Sequence, residues 1–157
     1  MASSSSVQEQ NKQVVRQYIE AFNRQDIERM GQLVVSSTNQ SFHFPGMPTS
    51  INWERAKQLY ASFWSAFPDL SAKIEEIVSE GDKVAIRVIN TGTHIGEFQG
   101  IAPTNKKVSF GGRDFVTLRD GKIAEQWAGT DMMELMQQIG AIPMTSHAIG
   151  TNSTTRS

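Results

Sequence analysis

The sequence predicts an α+β domain: three N-terminal helices, then a meander of strands, then one short C-terminal helix. Three observations carry this. Before Pro68 the apolar residues recur at helical spacing, and after it they change to strand-like spacing. The second half is rich in Ile, Val, Phe and Thr, which suit a pleated, half-buried surface. Two turn words, Glu80-Gly81-Asp82 and Asp120-Gly121, divide that half, and the second is a strong hairpin signal. Helices first and strands afterwards imply helices packed on one face of a mostly antiparallel sheet.

The first helix is expected from Val7 to Asn23, with Ser6 and Glu9 as a capping box and Val15, Tyr18, Ile19 and Phe22 on one face. A shorter helix from Asp26 to Val35 carries Ile27, Met30, Leu33 and Val34. A third starts near Asn52 and ends at Pro68, with Trp53, Ala56, Tyr60, Phe63 and Phe67 among its apolar set. Between the second and third lies Phe42-His43-Phe44-Pro45-Gly46-Met47-Pro48, a short strand running into a loop. Strands are expected over Ser71–Ser79, Lys83–Thr93, Lys107–Arg119 and Lys122–Ala128. The last helix, Met132 to Ile139, ends at Gly140 in a natural C′ position. Residues 1–6, a serine run, and 144–157, rich in Ser and Thr, read as flexible tails around one domain at 7–143.

At 157 residues the chain is most simply one domain with a real core. Apolar content of 38% with charged content of 20% suits a soluble globule, and a net charge of −1 gives no reason to expect nucleic acid or an anionic membrane as partner. The apolar runs are too short to span a bilayer, and Met1 to Ser6 lacks the basic and apolar regions of a signal peptide, so the cytoplasm is the plain expectation. With no cysteine, disulfides, thiolate metal sites and a cysteine nucleophile are excluded. There is no Gly-x-Ser-x-Gly and no phosphate-loop spacing, so no nucleotide or flavin cofactor is indicated. Two separated histidines, His43 and His94, make a poor metal site, and no metal is expected.

Several words in order carry a resemblance. They are Asn11-Lys12 to Asn23, His43-Phe44-Pro45-Gly46, Ala66-Phe67-Pro68-Asp69-Leu70, Glu80-Gly81-Asp82-Lys83-Val84-Ala85, and the stretch Gly92 to Asp131. Their joint order resembles the SnoaL-like polyketide cyclases of the nuclear-transport-factor-2-like superfamily, from Asn11 to Pro143. The resemblance implies a cone-shaped, strongly curved sheet wrapped around the helices with a pocket inside, and a homodimer or larger assembly built on the outer sheet face. It implies that Asp131, four residues after Trp127, is the general acid/base. One departure is that Thr38-Asn39-Gln40-Ser41-Phe42 contains no acid, where relatives often have an Asp a few residues before the histidine.

Read as residues, Asp131 has two possible jobs. A carboxylate partly buried beside Trp127 would be poised above its ordinary pKa of about 3.9. Followed by Glu134, it also looks like the cap of the last helix. His43 lies in an aromatic-proline segment that relatives place at the pocket mouth, where it would orient a carbonyl or shuttle a proton. His94 sits at the end of a long strand; each histidine also reads as a hydrogen-bonded structural imidazole. Arg87, flanked by Ile86 and Val88, would pair with Asp131 or Glu125, face substrate oxygens, or lie exposed on the solvent side. Asp114 could point inwards, but Gly111-Gly112 leaves its parity open if they form a bulge. Phe22, Phe44, Phe63 and Trp127, with Tyr18, are the candidate pocket lining for a flat polycyclic or terpenoid ligand.

The leading expectation is a cofactor-free cyclase or isomerase. Asp131 would drive an aldol-type ring closure or rearrangement of a polyketide-like or terpenoid carbonyl compound, with His43, Arg87 or His94 polarising oxygens. The alternatives are water activation of the epoxide-hydrolase kind in the same pocket, and a non-catalytic ligand-binding or dimerising module.

Overall fold

A computed structural model describes residues 4–36 and 38–143 of the chain. The first helix, α1, runs over Ser4–Asn23. It starts three residues before the expected Val7, so Ser4–Ser6 are helical and Ser6 lies inside the helix rather than at its cap. Serine costs a helix only a few tenths of a kcal/mol, and no Pro or Gly stops the chain there. The expected tail over 144–157 lies outside the described residues. α2 spans Ile27–Gln32, with Asp26 as its N-cap accepting from the Arg29 N–H. It is shorter than the expected Asp26–Val35 because the chain after it joins the sheet. The Val35 N–H donates to the Ile123 carbonyl at 2.9 Å, and the Ile123 N–H to the Leu33 carbonyl at 2.8 Å.

β1 (Ser41–His43) precedes α3 (Trp53–Ala66), whose N-cap Asn52 accepts from the Arg55 N–H. β2 (Ser71–Glu80), β3 (Lys83–Thr93), β4 (Lys107–Arg119), β5 (Lys122–Trp127) and α4 (Met132–Gln138) follow. The five strands form one open, mixed sheet in the order β1-β5-β4-β3-β2, in which only the β1–β5 pair is parallel. The β4–β5 turn puts Asp120 at φ 51° and Gly121 at φ 75°, the left-handed pair that lets a two-residue hairpin follow the sheet's twist.

The helices cover one face of the sheet. Asn23 fastens the end of α1 to edge strand β2 by donating to the Ala72 carbonyl at 2.9 Å and accepting from the Ala72 N–H at 2.7 Å. Gln138 of α4 does the same for β4, exchanging two 2.7 Å bonds with the Ser109 backbone. Between these layers Met30, Phe42, Phe67, Phe110 and Leu135 are fully buried.

Strand alternation then decides which side chains meet the helices. Val84, Ile86 and Val88 of β3 and Val116 and Leu118 of β4 are buried on the inner face. Gly111 and Gly112 keep regular register with Ile89 and Val88, so no bulge interrupts the alternation, and Asp114 shares the parity of Val116. The opposite parity faces outwards. Val78 pairs with Ala85, Ala85 with Phe115, Phe115 with Trp127, and Trp127 with His43, one row across the whole outer face. Its large members are open to solvent: Val78 is 62% exposed, Phe115 60% and Trp127 51%.

Candidate active site

A cavity of about 640 Å³ lies between the inner face of the sheet and helices α1 and α3, within the usual size range for small-molecule sites. Its walls are largely apolar, with the aromatic rings of Phe22, Phe44, Tyr60, Phe63, Phe98 and Phe110 all contributing. Exposed Pro45, Gly46, Glu97 and Gln99 mark its opening. Gly112 helps keep the interior clear, since a Cβ there would come within 3.0 Å of Val88 Cγ2. Among the described lining residues none is Lys, Arg or His, and the acids are Asp114 and Glu97.

Asp114 is held from two sides. The segment after β5 runs back along β4, with the Arg113 N–H donating to the Gly129 carbonyl at 3.1 Å. That approach aims the Gly129 N–H at Asp114 Oδ1, 3.1 Å away. It requires glycine, because any Cβ at position 129 would collide with the Arg113 carbonyl. The second carboxylate oxygen, Oδ2, accepts from Gln126 Nε2 at 3.1 Å. Gln126 Oε1 in turn accepts from the Tyr60 hydroxyl at 3.2 Å, and the Tyr60 and Tyr18 hydroxyls are 2.9 Å apart. Strand β4, strand β5, α3 and α1 thus each contribute one member to a chain of polar groups on the cavity wall. Burial pushes the Asp114 carboxyl above its ordinary value, and the bonds from Gly129 and Gln126 offset only part of that. Burial likewise raises Tyr18 and Tyr60, so both phenols stay protonated.

The residues singled out from sequence fall into two groups. Tyr18, Phe22, Phe44 and Phe63 are on the cavity wall. Asp131 is not; it is the N-cap of α4, accepting from the Glu134 N–H at 3.0 Å. Trp127 lies on the outer face of the sheet and forms no pair with Asp131. Its ring stacks instead on His43, with centroids 3.4 Å apart and planes at 4°. His43 therefore sits away from the cavity, with Nε2 2.9 Å from Ser41 Oγ and 3.9 Å from Glu125 Oε2. The reason is parity: buried Phe42 takes the inward position of β1, leaving its neighbours to face out. Arg87 is also on the outer face, where it binds Glu76 at 2.7 Å rather than Asp131 or Glu125. His94 is fully buried against Phe67, at 5.4 Å between ring centroids, and is not part of the cavity wall. Its Nδ1 accepts from the Thr104 N–H at 3.3 Å, so it fastens the two ends of the 94–106 loop.

Gln126 and Tyr60 went unrecognised as site residues from sequence. The parity rule that places Asp114 could have found Gln126, because the register sets it opposite inward-facing Val116. Nothing local marks Tyr60, which reads as one more apolar position of α3. No group of three His, Asp or Glu able to hold a metal occurs among the described residues, and none of the helices described is long and apolar enough to cross a membrane.

A sequence profile described as SnoaL-like polyketide cyclase matches residues 12–139. Several solved structures are similar. AclR from Streptomyces galilaeus, a candidate hydroxylase, is 27% identical with a TM-score of 0.80, over 89% of this chain and 87% of that one. IdmH from Streptomyces antibioticus, a candidate polyketide cyclase, is 29% identical with a TM-score of 0.75, over 83% of this chain and 98% of that one. A candidate SnoaL-like polyketide cyclase from Jannaschia sp. CCS1 is 25% identical with a TM-score of 0.80, over 91% of this chain and all (100%) of that one. No curated protein matches the chain. The profile runs from α1 to the end of α4, the solved structures share the fold at nearly full length, and the chain belongs to the SnoaL-like polyketide cyclase family.

Proposed function

We propose that the protein is an enzyme that enolises an apolar carbonyl compound in the cavity and closes a ring on it, with Asp114 as the general acid/base. The substrate class is a polyketide-like or terpenoid ketone or ester, whose flat or fused rings match the aromatic walls. The observation that carries this reading is one half-buried carboxylate on the inner wall of a largely apolar cavity, raised above its ordinary range by burial. Such a carboxylate is a stronger base than an exposed one and, once protonated, still a competent acid. Its ionised form takes a proton from the carbon next to the carbonyl. The C–H electron pair moves onto the carbonyl oxygen, the enolate carbon attacks a second carbonyl, and Asp114 returns the proton to the new alkoxide. Asp131, whose carboxylate is committed to the α4 cap, supports this role less well. Membership of a family named for cyclases agrees with the reaction type.

The assembly we propose is a homodimer through the outer sheet face. The exposed row through Val78, Phe115 and Trp127 supports it, because an apolar strip across a whole sheet is unusual on a monomer's surface.

The test is proton exchange in deuterated water, followed by NMR on a flat ketone such as 2-tetralone. The wild-type protein should accelerate loss of the α-proton signal, Asp114→Asn should lower that acceleration by roughly 10²-fold or more, and Asp131→Asn should leave it intact. Full exchange activity in Asp114→Asn would refute the assignment.

A further inference from the structure

The polar chain behind Asp114 is continuous and has a direction. With Asp114 ionised, every hydrogen points toward it. Gln126 Nε2 donates to Oδ2 at 3.1 Å, Tyr60 donates to Gln126 Oε1 at 3.2 Å, and the Tyr18 hydroxyl, 2.9 Å from that of Tyr60, donates to the Tyr60 oxygen. Proton uptake by Asp114 is incompatible with this arrangement. The Gly129 N–H at Oδ1 is fixed backbone and cannot turn away, so the new proton settles on Oδ2. There it would face the Gln126 N–H, donor against donor, at a residue that is only 5% exposed. A side-chain carboxamide resolves the conflict by rotating half a turn. Gln126 Oε1 then accepts from the Asp114 O–H, Gln126 Nε2 donates to the Tyr60 oxygen, the Tyr60 O–H turns to the Tyr18 oxygen, and the Tyr18 O–H is left without an acceptor in the chain. Tyr18 is on the cavity wall.

We propose that Gln126 and Tyr60 form a reversible relay that releases the Tyr18 O–H to the substrate oxygen when Asp114 takes the substrate's proton. The inference rests on Asp114 being the base and adds to it a mechanism of timing. The only covalent change is the proton's passage from carbon to Oδ2, with the C–H electron pair passing to the carbonyl oxygen. Within the relay no bond breaks; the donors only reorient. The enolate oxygen thus meets a new donor as its charge develops, in a cavity whose described lining holds no cation to do that work. Gln126 and Tyr60 are positioning residues in this scheme, and Tyr18 is the group that touches the reacting oxygen.

The test uses 4-nitrophenolate as a stand-in for the enolate, bound to the full-length protein and read by its absorption. Asp114→Asn holds the relay in its reversed state, because the Asn carboxamide keeps the Gly129 bond and donates to Gln126 Oε1. In that background Tyr18→Phe should weaken phenolate binding by about tenfold or more, the scale of a hydrogen bond to a charged group. In the wild-type background, where the Tyr18 hydrogen points to Tyr60, the same change should matter by less than about twofold. Binding of uncharged 4-nitrotoluene should be equal in all variants, which separates the relay from simple repacking. A Tyr18 effect of equal size in both backgrounds, no effect in either, or no phenolate binding in any variant would overturn the proposal. If Asp114→Asn abolishes proton exchange yet Tyr18 shows no dependence on residue 114, the relay fails and the base stands. If Asp114→Asn retains exchange, both fall.

Discussion

Replacing Asp114 by Asn should stabilise the protein at neutral pH, by an amount that grows with pH in a defined way. Burial raises the folded carboxyl above its ordinary value of 3.8. Below that value the group is protonated in both the folded and the unfolded chain, and ionisation costs nothing. As pH rises past it, the unfolded chain releases its proton first, so the wild type loses stability at up to about 1.4 kcal/mol per pH unit. The loss levels off once the folded carboxyl ionises too. Asn keeps the acceptor for Gly129 and a partner for Gln126 but carries no charge, so it escapes the loss. For a domain of this size each kcal/mol corresponds to roughly 2–4 °C in Tm. Thermal melts of both proteins from about pH 4 to 8 should therefore show a Tm difference that climbs in favour of Asn and then reaches a plateau. The plateau in kcal/mol, divided by about 1.4, gives the rise in folded pKa, and carboxyl carbon NMR must return the same rise. A difference that stays flat would mean that the bonds from Gly129 and Gln126 cancel the effect of burial, and one that moves in favour of the wild type would mean that they hold the carboxylate below its ordinary range. A base of the proposed kind would then be ruled out.

Asp131→Ala should cost about 1 kcal/mol of stability through the lost α4 cap, visible as a small fall in Tm, with ketone exchange unchanged. Gly129→Ala should affect both: the collision with the Arg113 carbonyl displaces the N–H that holds Asp114, so exchange should fall steeply, with a stability loss of roughly 1–3 kcal/mol. If the proposed dimer forms through the outer row, Trp127→Ser should shift it to monomer in light scattering while leaving the circular dichroism intact. Phe67→Ala, at a fully buried ring packed between His94 and Phe98, should cost about 3–5 kcal/mol and lower Tm with no change in assembly below the transition.

Most of the fold was legible because its signals are local. The period change at Pro68, the Asp120-Gly121 turn and the caps at Asn52 and Gly140 each act within a few residues, and β3 and β4 begin and end where their residue types do. The misjudged boundaries are those fixed from a distance. Helix α2 stops at Gln32 because the following residues bond to Ile123, some ninety positions away, and no helical propensity in Leu33 or Val34 reveals that competition. At the other end, nothing in a serine run says whether a helix will extend through it.

The site was less legible, because catalytic chemistry depends on which face of the sheet a residue takes, and a word of sequence does not carry a face. His43, Arg87 and Trp127 have functional side chains, but Phe42, Ile86 and Gln126 hold the inward positions beside them. Alternation alone separates the two sets, provided the register is unbroken through Gly111-Gly112, and sequence could not settle that point. With the register known, an inward Asp114 among Val84, Ile86, Val88, Val116 and Leu118 is a charged residue in an apolar row, expensive unless function retains it. The same sheet places an exposed aromatic strip back to back with that row, so residue 114 faces the cavity while residue 115 faces the proposed partner subunit. A substitution at Phe115 that disturbs pairing along β4 would therefore reach the site through the backbone without touching any residue that lines it.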